Sequence, residues 1–421
     1  MKRQLTTFTF CVSIVSAVLS QNIDQEDITY KYQRLPLKPL SKDIKGYVSK
    51  VEQSYDAKNQ ELKAEYKEAQ AKADEKYKQD MTRYEEQSKQ ADADYKKAMD
   101  DYNNKSIGKK TAEKLLLDSQ KPTRAYVPKP EKEIVTLSTT GTEYNKELFA
   151  TTYLKLDGYM VNGANPVKIT AILNGFEIQD PEKVASDHAK VVNGVSSVVK
   201  KYKYKMKYRH PVMLKVEAPD KGTLMDETVE KTNEYTEATT QDFDSEYDLN
   251  AYWEKNKEAL TKKYDEDITG ANMKRAGNQL NFNFGFSIVS RETKLYTLKD
   301  KKGDYQDLTT AYTTAQLAFN TIDGGFKKEG IVEMKKSVEA WEKAMTESNL
   351  SEKKARINEK VTMAVLFNLI EGYNILEDYT SAVKCLIKLK GMDLSNRETR
   401  HLESLNTFIM DQKLRFEAAA Q

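Results

Sequence analysis

Three histidines, His188, His210 and His401, lie far apart in the sequence. A zinc site needs His, Cys or carboxylate ligands at short, regular spacing, and neither HExxH nor paired cysteines occur. There is no GxSxG elbow to present a nucleophile, and no Walker A loop or GxGxxG turn to cradle a phosphate. Asp242, Asp244, Glu246 and Asp248 alternate like calcium-loop ligands, but Tyr247 and Trp253 stand where such a loop needs Gly and Glu. Acids entering a helix N-terminus, where the dipole favours them, are the plainer reading. Lys201, Lys203, Lys205, Lys207 and Arg209 alternate with Tyr202, Tyr204, Met206 and Tyr208, which defines a two-faced strand. Its cationic face suits lipid headgroups or an envelope glycan, with Lys203, Lys205 and Lys207 as contact residues. The competing reading is an edge strand whose lysines block edge-to-edge pairing. Tyrosine rows serve as carbohydrate platforms or, more ordinarily, as core. The many carboxylates leave open a carboxylate-only site such as that of a glycan hydrolase. No catalytic residue, metal ligand or cofactor is assigned.

The N-terminus sets the compartment in which any such surface would work. Met1-Lys2-Arg3 is basic, Phe8–Leu19 is apolar, and Val18 and Ser20 are small. This is the pattern of a secretory signal peptide cleaved after Ser20, before Gln21. The apolar run has about a dozen residues where a bilayer span needs roughly 20, so a membrane anchor is the lesser reading. The chain carries 67 basic and 65 acidic residues, and loss of residues 1–20 removes Lys2 and Arg3 with no acid, leaving zero formal charge. That balance disfavours a nucleic-acid partner. Cys11 leaves as well, so Cys385 stands alone and no intramolecular disulfide forms. Its apolar helical setting makes it a small core residue. Mean hydropathy is −0.74, yet aromatics reach 10%, too many for a wholly disordered chain.

The elements that would position these residues follow in order. After the signal peptide, 1–20, comes a strand segment, 21–46, with Ile28, Tyr30 and Tyr32 alternating ahead of Pro36 and Pro39. Segment 47–120 holds a long charged helix free of Gly and Pro to about Lys105. Its tyrosine and alanine stripe, from Val51 to Tyr102, has a period of about 3.6 residues, that of a straight helix. The helix is either a rod that pairs with another chain or arm, or a hairpin folded near its middle. Pro122, Pro128 and Pro130 make a stiff extended linker. A β-rich module spans 121–200: Tyr153–Tyr159 alternates, Asn162-Gly163 signals a turn, and Val167–Ile178 supplies the returning strand of a hairpin. A second β-rich module, 201–303, holds the Lys/Tyr strand and its continuation Val212–Val216. It also holds a helix from Asp248 to about Lys274 and a strand through Leu280, Phe282, Phe284, Phe286 and Ile288.

From Asp304 the period is helical, with a stripe of Ile331, Met334, Val338, Trp341 and Met345. Ser351 and Ser395 sit at N-cap positions, the latter with Glu398 in capping-box spacing. About five helices with short connections make an antiparallel stack over 304–421. Asn368-Leu369, Tyr373, Asp378-Tyr379, Ala382 and Leu386 lie at tetratricopeptide-repeat spacing, and over about 25 residues the chain resembles that family. It departs at Ile370 and Leu389. The resemblance implies paired helices stacked on neighbours, with a concave surface for a peptide or protein partner. Tyr373, Tyr379 and Trp341 are the candidate contact residues.

The expected fold is α+β and multidomain. It has β-sandwich-like modules with a long helix or helical-hairpin insertion, followed by a C-terminal all-α TPR-like stack. The expected function is that of an exported, non-catalytic envelope protein: periplasmic or secreted, with outer-membrane association open, acting as a protein-binding scaffold. It would take an envelope protein or peptide partner, and oligomerise through the long helix if that helix pairs between chains. The alternatives are an envelope glycan- or lipid-binding module and, after it, a carboxylate-dependent glycan-acting enzyme.

Overall fold

A computed structural model describes residues 23–104, 121–137, 139–192, 195–299 and 303–420. The expected signal peptide, 1–20, lies outside the described residues. In chain order the elements are β1 (Ile23–Gln33), β2 (Gly46–Gln53), α1 (Asp56–Asn104), α2 (Lys146–Tyr153), β3 (Met160–Val161), β4 (Val167–Leu173), β5 (Glu177–Ile178), β6 (Glu182–Val192), β7 (Val195–Arg209), β8 (Val212–Ala218), β9 (Gly222–Thr228), β10 (Thr236–Thr239), α3 (Glu246–Phe284), β11 (Ile288–Leu298), α4 (Gln306–Asp323), α5 (Lys327–Met345), α6 (Glu359–Ile375), α7 (Tyr379–Lys390) and α8 (Asn396–Ala420). The architecture is α+β, with several sheets, two long helices and five packed C-terminal helices. Among the described residues no helix is long and apolar enough to cross a membrane. The chain divides into two compact units, each assembled from separate stretches.

One unit comprises residues 1–48, 155–167 and 277–421. Its strands β1 and β11 form an antiparallel ribbon in register from Ile23↔Leu298 to Gln33↔Ile288. The ribbon lies against α4 and α6, and α4–α5, α5–α6, α6–α7 and α7–α8 pack in succession. Every residue of α6 from Val361 to Ile375 is buried. Such a helix, apolar nearly all round, needs cover on all sides, and the ribbon supplies what α5 and α7 leave open. Asn358 caps α6, accepting from the Val361 N–H at 3.2 Å. Ser351, the cap expected from sequence, instead donates to Asn349 Oδ1 in the preceding loop, because Asn349 builds its own turn there. The Ser395–Glu398 box does form: Glu398 accepts from the Ser395 N–H at 2.8 Å.

The other unit comprises residues 49–154 and 168–276. Its helix α1 is a single rod of 49 residues, about 74 Å long at 1.5 Å per residue, and no hairpin interrupts it. The chain's own segment 121–143 covers part of its stripe. Arg124 meets Asp92 at 2.5 Å, Lys132 meets Asp74 at 2.6 Å, and Thr140 N–H donates to Asn59 at 2.8 Å. An extended, proline-rich chain advances about 3.1 Å per residue, twice the helical rise. From Arg124 to Thr140 it therefore keeps pace with α1 from Asp92 back to Asn59. Ala73 and Ala91 are buried along the helix. In one sheet, β2-β4-β8-β9 run side by side, and Ile169, Ala171 and Leu173 of β4 face Val216, Leu214 and Val212 of β8, all fully buried.

Two strand expectations give way to helix. Tyr153 ends α2, which Asn145 caps by accepting from the Leu148 N–H, and the following residues are irregular. The Asn162-Gly163 turn forms, with Asn162 at φ 55°, but the flanking strands do not pair as a hairpin. β3 pairs in parallel with β2, and β4 pairs with β8. The alternation at 280–284 is the end of α3. Leu280 and Phe284 are four apart and buried on one helical face, while Phe282 is exposed. Asn281 and Asn283 bond back to the Gly277 and Gln279 carbonyls. Every second residue apolar satisfies an i, i+4 pair as well as a strand, so long-range packing decides.

A Cβ at Gly372 of α6 would lie 2.5 Å from Val338 Cγ2 and 3.4 Å from Trp341. Alanine gains about 1 kcal/mol in helix propensity, whereas overpacking costs about 1–3 kcal/mol. Gly372→Ala is expected to destabilise the protein, and a chemical-denaturation midpoint that rises would contradict this packing.

Candidate functional site

The residues singled out for a partner in the C-terminal stack are buried. Trp341 is 1% exposed, Tyr373 9% and Tyr379 8%. Tyr373 donates to Glu342 at 2.6 Å from within the α5–α6 contact. Asp378 caps α7 by accepting from the Ser381 N–H, and Ala382 and Leu386 are buried where α7 meets its neighbours. Burial pushes the Cys385 thiol up to about 11, as suits a core residue.

The ribbon side of α6 carries a buried polar network. Glu371, with no exposure, accepts both guanidinium nitrogens of Arg291 at 2.5 and 2.6 Å, and the Thr293 hydroxyl at 2.5 Å. Arg291 also lies 3.8 Å over the Phe408 ring and donates to Tyr30 Oη. Burial opposes the charge on Arg291, but the pull of Glu371 and its hydrogen bonds outweigh it and raise the guanidinium above its ordinary value. Asn368, part of the repeat signature, accepts from the Tyr296 N–H and donates to its carbonyl, both at 2.8 Å. It thereby completes the outer edge of β11.

The Lys/Tyr strand β7 is not an edge strand. Residues 202–209 have partners on both sides: β6 and β5 on one, β10 and a bridge to Phe243 on the other. Its cations meet acids. Lys201 pairs with Asp244, Lys203 with Asp242, Lys205 and Lys207 with Glu237, and Arg209 with Glu177. The alternating acids thus serve the lysine row: Glu246 holds Lys183, while Asp248 bonds Ser245 at the start of α3. These half-exposed pairs are screened and add little stability, but they neutralise the face. The tyrosine face packs on α3, with Tyr208 stacked on Tyr264 at 5.0 Å and Tyr204 against Trp253 at 5.3 Å.

A cluster that sequence reasoning missed surrounds His210. Asp265 and Thr269, one turn apart on α3, both reach its Nδ1, at 2.9 and 2.7 Å. Asn272 donates to the His210 carbonyl, and Tyr144 lies 3.2 Å from Thr269. A catalytic triad needs the acid and the hydroxyl on opposite ring nitrogens. Here they share one, and Nε2 is buried without a hydrogen-bond partner among the described residues. The arrangement ties α3 to the β7–β8 corner instead of activating Thr269. Its signal in sequence is a polar row, Asp265, Thr269 and Asn272, on one face of a helix. Among the described residues no group of three or more His, Cys, Asp or Glu side chains is placed to hold a metal ion.

Between the end of α7 and the first half of α8 lies a groove of about 590 Å³, lined by Met392, Leu394, Thr399, Glu403, Asn406 and Thr407 among others. Residues 399, 403, 406 and 407 share one face of α8. No family model, curated protein or solved structure matches the chain.

Removing one partner of a buried ion pair typically costs about 3–5 kcal/mol. Glu371→Gln is expected to lose that order of stability, and Arg291→Met with Glu371→Leu less than Glu371→Gln alone, as read from denaturation midpoints. Burial raises the Asp265 carboxyl, but bonds from His210, Thr142 and Tyr144 outweigh it and hold the group below the usual carboxylate range. A depressed folded-state value contributes stability above the unfolded value, near 3.9, that is lost as pH falls through the folded one. The stability gap between wild type and Asp265→Asn should therefore be widest near neutral pH and close as the solution is acidified below about pH 4. A gap independent of pH would refute the charged network.

Proposed function

We propose that the chain is an exported, non-catalytic binding protein of the cell envelope, which holds a protein or peptide partner on its C-terminal helical domain. Supporting the reading, the α6–α7 hairpin buries Tyr373, Ala382 and Leu386, and Asp378 caps α7 at the turn between the two helices. The ribbon of the same chain covers α4 and α6, so a partner would lie elsewhere on the stack. The observation that carries this reading is the α7–α8 groove, where partly exposed Met392 and Leu394 are flanked by Thr399, Glu403, Asn406 and Thr407. An apolar centre with a polar rim is the usual anatomy of a protein interface. The glycan or lipid alternative on Lys203, Lys205 and Lys207 has less support, since each lysine has a carboxylate partner.

Deleting the helical domain would strip the ribbon of its cover, so substitutions in the intact chain are the cleaner test. Asn406→Arg with Thr407→Arg should reduce capture of the crosslinked partner from envelope fractions at least tenfold and leave the melting temperature unchanged. Undiminished capture would sink the groove as the partner site.

A further inference from the structure

The first turns of α8 face a second concavity. Arg397, Arg400 and His401 are three and four residues apart, hence on one face of the helix, and a different face from that of the groove. Together with Lys294, Tyr296 and Gln25 of the ribbon they line a cavity of about 340 Å³. Gln25 and Tyr296 are paired across the two strands, two residues along from Asp27 and Lys294.

Three features of this cavity converge. The first is charge. Lys294 is matched by Asp27 at 2.5 Å, but among the described residues no carboxylate forms an ion pair with Arg397 or Arg400. The carboxylate of neighbouring Glu398 accepts from the Ser395 N–H, and Arg400 gives its Nε to the Asn396 carbonyl. Two exposed guanidinium groups thus have no ion-pair partner among the described residues, although the Asp27 carboxylate feels the charge of Arg397 at longer range. The second is an unmet donor on a lining residue. Tyr296 is 2% exposed and its hydroxyl has no hydrogen-bond partner among the described residues. A buried polar group left so costs about 1–3 kcal/mol and calls for an explanation such as an absent ligand. Gln25 Oε1 and His401 Nε2 are likewise buried and unpartnered. The third is rigidity. The Tyr296 ring stacks on Phe367 at 4.9 Å and 9°, and its backbone is clamped by Asn368.

We propose that this cavity binds the phosphate group of a small phosphomonoester, with Arg397 and Arg400 on its oxygens and the Tyr296 hydroxyl donating as well. Guanidinium forks match phosphate geometry. In its monoanionic form, populated below about pH 6, a phosphomonoester also brings a hydroxyl that an acceptor such as Gln25 Oε1 can receive, which sulfate does not. Burial pushes the half-buried His401 imidazole below its ordinary value, which favours the neutral ring. The site is independent of the α7–α8 groove and of any protein partner.

The test is calorimetric titration of the full chain from Gln21 with inorganic phosphate, glycerol phosphate and sulfate at equal ionic strength, with vesicles of phosphatidic acid as a further arm. Saturable binding of phosphate or glycerol phosphate, at least tenfold tighter than sulfate, is expected. Arg397→Gln with Arg400→Gln should abolish it, and Tyr296→Phe should weaken it at least tenfold without lowering the melting temperature, because the substitution removes an unsatisfied hydroxyl. Asn406→Arg with Thr407→Arg should leave it unchanged. Binding only to vesicles would assign the site to a lipid headgroup and overturn the soluble-ligand assignment. No binding at millimolar phosphate, or binding indifferent to the arginine substitutions, would overturn the site itself.

Discussion

The carboxylate of Glu371 is shut away from water in the middle of α6, and the ribbon meets its charge. Burying a carboxylate and a guanidinium strips both of hydration, and their mutual attraction offsets that cost only when geometry is good and remaining polar atoms are satisfied. Here the contact is bidentate, Thr293 supplies a further donor, and the Arg291 plane rests on Phe408 of α8. The same set of contacts therefore bonds three elements, β11, α6 and α8. Tyr30 extends it to β1, since its hydroxyl takes hydrogen bonds from Arg291 and Asn374. A strand shifted by one residue would put Glu292 or Ser290 where Arg291 stands and leave Glu371 buried and unpaired. The pair is as much a device for register as for stability.

Local periodicity carried much of the fold. The helices of the C-terminal stack, the rod α1, the strands β7 and β8 and the capping box at Ser395 each announce themselves within a few residues. Alternation failed where a second period fitted the same letters, as at Leu280 and Phe284, or where a capped helix preceded it, as at Tyr153. The site residues were harder to see, because their partners are distant in sequence. Arg291 and Glu371 stand 80 residues apart, and no local pattern joins them. One trace exists: Glu371 interrupts an otherwise apolar helix, and an acid in such a place requires a cation brought by another element. Trp341, Tyr373 and Tyr379 drew notice as large aromatic residues at repeat positions, yet size and apolarity are also what a core needs.

The charge pattern has a comparable lesson. The lysine row of β7 and the acidic run after β10 look like two separate binding motifs when each is read alone. In the fold they face one another as a set of ion pairs. Near-zero net charge is the global counterpart of this local matching. Against that background, Arg397 and Arg400, which have no ion-pair partner among the described residues, beside a buried tyrosine hydroxyl with no hydrogen bond there, are the exception.

The ribbon also bears on the order of events when the chain is made. Asp27 and Lys294, opposite one another in it, are separated by 267 residues. Synthesis delivers β1 well before β11, its strand partner among the described residues. Until then β1 is an unpaired strand, with backbone donors and acceptors open to any passing edge. Contacts of such separation form slowly. The charged residues that β1 carries, Asp24, Glu26, Asp27 and Lys31, keep such a waiting strand soluble and disfavour pairing with another copy of itself.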